Sequence, residues 1–311
     1  MTDGKTFYFE WEVKLMEWLQ EHLGGTAVSY LSVFGEEMML VALLGFVYWS
    51  YNKRIGRTMG LCILEGLVLD SMLKNIFTRL RPYFVHKQLN IYRLPEPDAP
   101  MYDISAQGYS FPSVHSTNSV GLFGGFASRA KKPLFTVLAI LIPLLVGFSR
   151  VVVGAHYPTD VLAGWAVGGL MIFLTVFMED RLHPAVMYGI FLAIGLPGLF
   201  FCKSADYYTG YGLLAGFSAA ILFEERFVKF EDTRRPLQMI LRLAGGAVVY
   251  FLVNSLLKLP FSHEFLDSGS RAALLVRCAR YAVVAFADFG LYPLAFRLAP
   301  KKQAAQETTK G

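Results

Sequence analysis

Residues 133–160 read PLFTVLAILIPLLVGFSRVVVGAHYPTD. The first part, 134–149, is apolar and uncharged. A bilayer core takes roughly 20 mostly apolar residues per helix, so this part predicts a membrane helix ending at Ser149 and Arg150. The second part turns to chemistry, with Arg150, His156 and Asp160, and Pro158 suits the first turn of a new helix. The stretch thus predicts two consecutive spans joined by a short ionisable loop.

Working outward, the turn Ala130-Lys131-Lys132-Pro133 folds this span back on an earlier one at 114–129, opened by Pro112-Ser113-Val114-His115. Before that, a span at 57–77 carries Lys74 and runs into Arg81-Pro82. A tight hairpin between 114–129 and 134–149 brings three blocks to one end of a helix bundle: Lys74-NIFTRL-Arg81-Pro82, Pro112-Ser113-Val114-His115 and Ser149-Arg150-VVVGA-His156-YPT-Asp160.

The rest of the chain is equally apolar. Of 311 residues, 54% are hydrophobic and 17% charged, against about 25% charged in soluble domains. Further spans are predicted at 27–50, 159–178, 184–202, 209–223, 237–257 and 272–297. The expected fold is an all-α polytopic transmembrane bundle of about nine spans, with spans two to five carrying the three blocks. The expected organisation is a helix within 1–26, a core at 27–180, additional transmembrane helices at 181–298, and a disordered tail at 299–311.

Within 1–26, Phe7, Phe9, Trp11, Leu15, Trp18 and Leu19 could lie at a membrane interface while Glu12, Lys14 and Glu17 face water; a helix capping the protein is the other reading. Lys53, Arg54 and Arg57, then Arg129, Lys131 and Lys132, then Arg226, Lys229, Arg234 and Arg235, then Lys301 and Lys302 all fall on one side. Positive loops mark the cytoplasmic side, so the three blocks are expected on the opposite one. Gly121 and Gly125, and Gly164 and Gly168, have the small-xxx-small spacing of close helix packing. The three cysteines are scattered and read as packing residues, and the net charge of +5 without a basic-aromatic run fits acidic lipid head groups or an anionic substrate better than nucleic acid, which is not expected as a partner.

The ionisable set suits a phosphate pocket. Arg81 and Arg150 can each offer a planar fork and Lys74 a point charge, deep in an apolar helix where ionisable groups are functional candidates. Asp70, one turn earlier, is placed to pair with Lys74. Ser113 is a plausible cap of the following helix, whose N–H groups favour an anion, and His115 sits in its first turn. Asp160 is placed to accept a hydrogen bond from one ring nitrogen of His156, setting the tautomer and raising the basicity of the other. The loop 83–111 is long enough for a lid. Glu36, Glu37 and Glu65 are expected to form structural pairs.

These blocks resemble the three signatures of the type 2 phosphatidic-acid phosphatase superfamily, which includes membrane lipid phosphatases, glucose-6-phosphatases and vanadium haloperoxidases. The resemblance covers about residues 70–165. It implies that His156 attacks phosphorus, that Asp160 orients it, and that His115 protonates the leaving oxygen and later helps activate water. Lys74, Arg81, Arg150, Ser113 and the Val114 backbone N–H would bind the phosphoryl oxygens, with neither metal nor other cofactor. Val114 replaces the usual glycine of the second signature.

The implied activity is hydrolysis of a lipid phosphate or pyrophosphate at the non-cytoplasmic face of a membrane, a bacterial plasma membrane or an endoplasmic reticulum with a lumenal site. The implied partners are the bilayer and a phospholipid, polyprenyl or sphingoid phosphate. A glucose-6-phosphatase-like enzyme of soluble sugar phosphates is an alternative, against which Asp160 speaks. A non-enzymatic lipid-binding or transport protein on the same scaffold is another.

Overall fold

The computed structural model describes residues 4–92 and 102–298. Arg93, Lys301, Lys302 and the tail 299–311 lie outside the described residues, as does part of the loop 83–111. Among the described residues a helix α1 (Glu10–Leu23) precedes nine helical rods. They are α2 (Thr26–Tyr51), α3 (Lys53–Phe77), α4 (114–130), α5 (Pro133–Val152), α6 (Pro158–Glu179), α7 (Pro184–Phe201), α8 (205–228), α9 (Pro236–Leu256) and α10 (271–298). Among the described residues there is no strand, only an isolated bridge between Lys5 and Arg79.

Five rods (α2, α5, α6, α7 and α9) are long and apolar enough to cross a membrane by length and composition. The other four are short, as α4 is, or carry ionisable side chains, as α3 does with Glu65, Asp70 and Lys74. These groups point inward: all three are buried. Helix α3 is the axis, packed against α2, α4, α6 and α8, while α8 pairs most extensively with α10. The outward faces of α5, α6 and α9 expose large apolar side chains, among them Leu134, Phe173 and Leu237, as lipid contact requires.

The glycine pairs do their packing inside the chain. A Cβ on Gly121 would stand 3.3 Å from the carbonyl of Cys62 on α3, and one on Gly164 would stand 2.6 Å from the carbonyl of Ser113. The backbones of α3 and α4 therefore touch near mid-helix, and α6 meets the start of α4 at Ser113, in the second block.

Successive connections alternate between two ends of the bundle. At one end Arg57 pairs with Glu179 (3.0 Å), Lys53 with Glu224 (2.9 Å) and Arg129 with Asp180 (2.9 Å), so the basic loops are clamped by acidic ones. The three blocks lie at the other end.

Helix α1 caps that end. Val13, Met16 and Leu19 join Leu89, Val151, Val152, Tyr157 and Val161 in a small core, and Trp11, Leu15 and Trp18 stay exposed. Glu12 does not face water, as its place in the amphipathic pattern suggested. It is fully buried beneath the helix because its carboxylate meets the guanidinium of Arg79 at 2.8 Å.

Candidate active site

The turn after α5 places the first histidine. Gly154 has φ +80°, a left-handed conformation that glycine adopts without strain. The chain thereby doubles back, with the N–H groups of Ala155 and His156 both donating to the Arg150 carbonyl (3.1 and 3.2 Å). Gln20 of α1 clamps this turn, donating to the carbonyls of Asn90 (2.8 Å) and Val152 (3.1 Å).

His156 is 2% exposed, and its Nδ1 donates to the Ser110 carbonyl at 2.9 Å. A carbonyl can only accept, so Nδ1 carries the proton and Nε2 keeps its lone pair. The expected direct bond to Asp160 is not formed: Asp160 Oδ2 stands 3.6 Å from Nδ1. Its oxygens are committed elsewhere. Oδ2 accepts from the Ser110 hydroxyl and the Tyr157 N–H (2.8 Å), and Oδ1 accepts from Arg79 (2.6 Å). Asp160 therefore holds the segment that holds His156. Burial, followed by the nearby charges of Arg81, Arg150 and Lys74, keeps the His156 imidazole well below its ordinary pKa of 6.5, hence neutral at pH 7.

Arg79 joins this segment to the cap. It donates to Glu12 Oε2 (2.8 Å) and Thr159 Oγ1 (2.7 Å), and its guanidinium lies 4.0 Å from the centre of the Tyr157 ring. Glu12 Oε1 accepts from the N–H of Thr159 at 3.1 Å. None of Glu12, Arg79 and Ser110 stood out in sequence. Arg79 sat unremarked inside the first block, and Glu12 looked like an ordinary surface carboxylate.

Each of the three cations donates to a neutral oxygen that helps to position it. Lys74 donates to the Tyr109 carbonyl, Arg81 to the carbonyls of Gln107 and Gly108 (3.1 Å for the latter), and Arg150 to the Ser32 hydroxyl (3.3 Å). The end of the 83–111 loop is thus a wall of the pocket. Asp70 does not pair with Lys74: it is fully buried, and among the described residues neither of its carboxylate oxygens has a hydrogen-bond partner. Glu65, expected in a structural pair, is likewise buried and has no hydrogen-bond partner among the described residues.

His115 reaches the pocket from the first turn of α4, and its Nε2 lies 3.2 Å from Glu36 Oε1. Glu36 sits where α2 breaks, in an extended conformation (φ −73°, ψ 142°) between a 3₁₀ stretch and the α-helix. Irregular backbone at membrane depth is tolerated where it lines a cavity, and Gly35 and Glu36 do so. Ser113 occupies the cap position of α4, but its hydroxyl makes no capping bond; it is fully buried and accepts from Ser116 Oγ at 3.0 Å.

Lys74, Arg81, Val114, His115, Arg150 and His156 line one cavity of about 350 Å³. From there it continues along Leu40, Leu64 and Leu213 into an apolar groove between α2, α3 and α8. The arrangement offers fixed positive charge, an unprotonated imidazole nitrogen and a second histidine around one volume. Among the described residues no group of three or more His, Cys, Asp or Glu converges as a metal-binding set.

The chain matches the PAP2 superfamily over residues 55–183, and the transmembrane extension of PAP2 superfamily phosphatases over residues 208–304. It is similar to an undecaprenyl-diphosphatase of Sulfolobus acidocaldarius, 30% identical over 49% of this chain and 68% of that protein. It is also similar to phosphatidylglycerophosphatase B of Bacillus subtilis, 29% identical over 53% of this chain and 77% of that protein. A lipid A 1-phosphatase of Rhizobium etli is 34% identical over 42% of this chain and 53% of that protein. No solved structure matches the chain.

Proposed function

The chain belongs to the PAP2 superfamily, and on that premise we propose that it is a metal-independent integral membrane phosphatase that hydrolyses a lipid phosphate or pyrophosphate through a phosphohistidine. The observation that carries this reading is the His156 ring. Its Nδ1 hydrogen is bonded to the Ser110 carbonyl, so the lone pair on Nε2 is available beside Lys74, Arg81 and Arg150.

In this reading the phosphoryl oxygens lie among Lys74, Arg81 and Arg150 with the Val114 backbone N–H, and Ser113 supports them from behind. The Nε2 lone pair of His156 forms an N–P bond as the bond from phosphorus to the leaving oxygen breaks. His115 gives that oxygen its proton. The ring of His156 becomes cationic, stabilised by the Ser110 carbonyl and by Asp160. Water then attacks phosphorus, with His115 accepting its proton, and inorganic phosphate leaves as His156 is restored. Preorganised cations supply the stabilisation of the developing charge.

We place this pocket at the non-cytoplasmic face of a bacterial plasma membrane, because Lys53, Arg57 and Arg129 gather at the opposite end. The substrates of similar proteins, undecaprenyl diphosphate, phosphatidylglycerophosphate and lipid A by their names, support a lipid as the carrier of the phosphate. The test is phosphate release in EDTA by wild type and His156→Ala, across phosphatidate, phosphatidylglycerol phosphate, undecaprenyl diphosphate, sphingosine phosphate and glucose 6-phosphate. Lipid turnover lost in the variant supports the reading. No release from folded wild type, or release that survives the substitution, overturns it.

A further inference from the structure

The pocket has one wall that none of the three blocks supplies. Asp206, Thr209 and Leu213 of α8 line the same cavity as Lys74 and His156. Their spacing of three and four residues puts them on one helix face. The face descends from a carboxylate through a hydroxyl to an apolar side chain, and so from the cationic end of the cavity into the groove.

The position of this wall is fixed against α3. Asn75, the neighbour of Lys74, accepts from the backbone N–H of Lys203 (2.9 Å) and donates to the Ser204 hydroxyl (2.9 Å), just ahead of Asp206. Asp206 itself is exposed and makes no hydrogen bond or ion pair with any described residue. A carboxylate at the start of a helix is favoured by the dipole alone. Here it also borders a pocket otherwise built to attract anions.

We propose that Asp206 and Thr209 form a head-group subsite that accepts hydrogen bonds from a hydroxylated group carrying the scissile phosphate, and that the Asp206 charge disfavours a second phosphate. The substrate is then a lipid phosphate monoester with hydroxyl groups beside the phosphate, its chain lying along Leu213, Leu64 and Leu40. This rests on the phosphatase reading above. The physical reason is asymmetry: a carboxylate is an acceptor only, so it rewards donors such as hydroxyls and repels further phosphate oxygens. A diphosphate carries the extra negative charge into that wall.

The experiment compares kcat/KM for a 1-acyl lysophosphatidate, which carries a single phosphate and a neighbouring hydroxyl, and for undecaprenyl diphosphate in the full chain, in detergent micelles, for wild type, Asp206→Asn and Thr209→Val. Wild type favours the hydroxylated monoester. Asp206→Asn keeps an acceptor oxygen and removes the charge, and shifts the ratio toward the diphosphate about tenfold. Thr209→Val keeps the shape and lowers turnover of the monoester severalfold with less effect on the diphosphate. An unchanged ratio in an active Asp206→Asn, or a wild-type preference for the diphosphate, overturns the subsite and leaves the phosphatase reading standing. No turnover of either substrate by wild type overturns both.

Discussion

The carbonyl of Ser110, and not the carboxylate of Asp160, receives the Nδ1 hydrogen of His156, at 2.9 Å against 3.6 Å. Asp160 acts one step removed, accepting from the Ser110 hydroxyl and the Tyr157 N–H while Arg79 neutralises its far side. The orientation of the proposed nucleophile is therefore a property of the segment around residue 110 as much as of one acid.

Because the two residues act as a unit, their substitutions should not add. Ser110→Ala and Asp160→Asn should each lower kcat, with the aspartate costing more. The double variant should lie within about 0.5 kcal/mol of the Asp160→Asn effect, where independent sites would add. Single-turnover phosphate release by the four proteins measures this, and full additivity would show that Ser110 does not transmit the effect of Asp160.

The neutral state of His156 sets a pH dependence. Its pKa lies well below 6.5 in the folded protein because of burial and the surrounding cations. The free enzyme therefore keeps an unprotonated imidazole at pH 6.5, and the acid limb of kcat/KM, which reports the free enzyme, should fall below that value. For stability the sign is the same. The unfolded chain takes up a proton below 6.5 that the folded chain refuses, so this residue's contribution is constant above 6.5 and destabilising as pH falls below it. An acid limb at or above 6.5 that His156 can be shown to cause would contradict the assignment.

Glu12 is fully buried and Arg79 is 2% exposed, so removing one partner strands a charge. Glu12→Ala should cost roughly 3–5 kcal/mol, read as a lowered thermal midpoint in detergent, and should reduce activity because Arg79 also holds Asp160 and Thr159. Lys14→Ala, at an exposed position of the same helix, should change neither.

Glu36 bonds the second histidine from outside the three blocks. Glu36→Gln keeps the size and loses the charge. It should lower kcat by about tenfold with little change in KM, less than the ~100-fold or more that loss of a general acid or base costs. Equal changes in kcat and KM, or none, would assign Glu36 to packing at the helix break.

A methyl group on Gly164 would press within 2.6 Å of the Ser113 carbonyl, whereas Gly169 has nothing within 4 Å of its Cβ position. Gly164→Ala should push α4 off α6, displacing His115 and lowering activity at least tenfold at permissive temperature, through a misplaced geometry of the kind that costs up to ~100-fold. Gly169→Ala should behave as wild type. Phosphate release at two temperatures, with thermal unfolding, separates the two.

The helical layout was legible because lipid imposes a simple rule. Long apolar runs must be helices, and short charged turns between them set which ends meet. The glycine pairs were legible for the same reason, since only small residues permit close backbone approach. The ionisable groups of the three blocks could be picked out because charge in an apolar chain is costly and so stands out. Glu12 was misread because its position in an amphipathic pattern says which face it lies on but not whether that face is covered. Ser110 was invisible because its contribution to His156 comes through a backbone carbonyl, which every residue possesses.

The amino-acid order by itself determined the rods, their alternation between two ends and the meeting of Lys74, Arg81, His115, Arg150 and His156 at one of them, since these follow from hydropathy and chain reach. The tertiary structure alone decided which oxygen the His156 ring faces, that Glu12 and Arg79 are joined beneath the cap, and that Asp206 borders the same cavity as Lys74. Those relationships join residues 46, 67 and more than a hundred positions apart. They depend on the angles at which α1, α3, α6 and α8 pack, which side-chain volume and interlocking set collectively and no local pattern encodes.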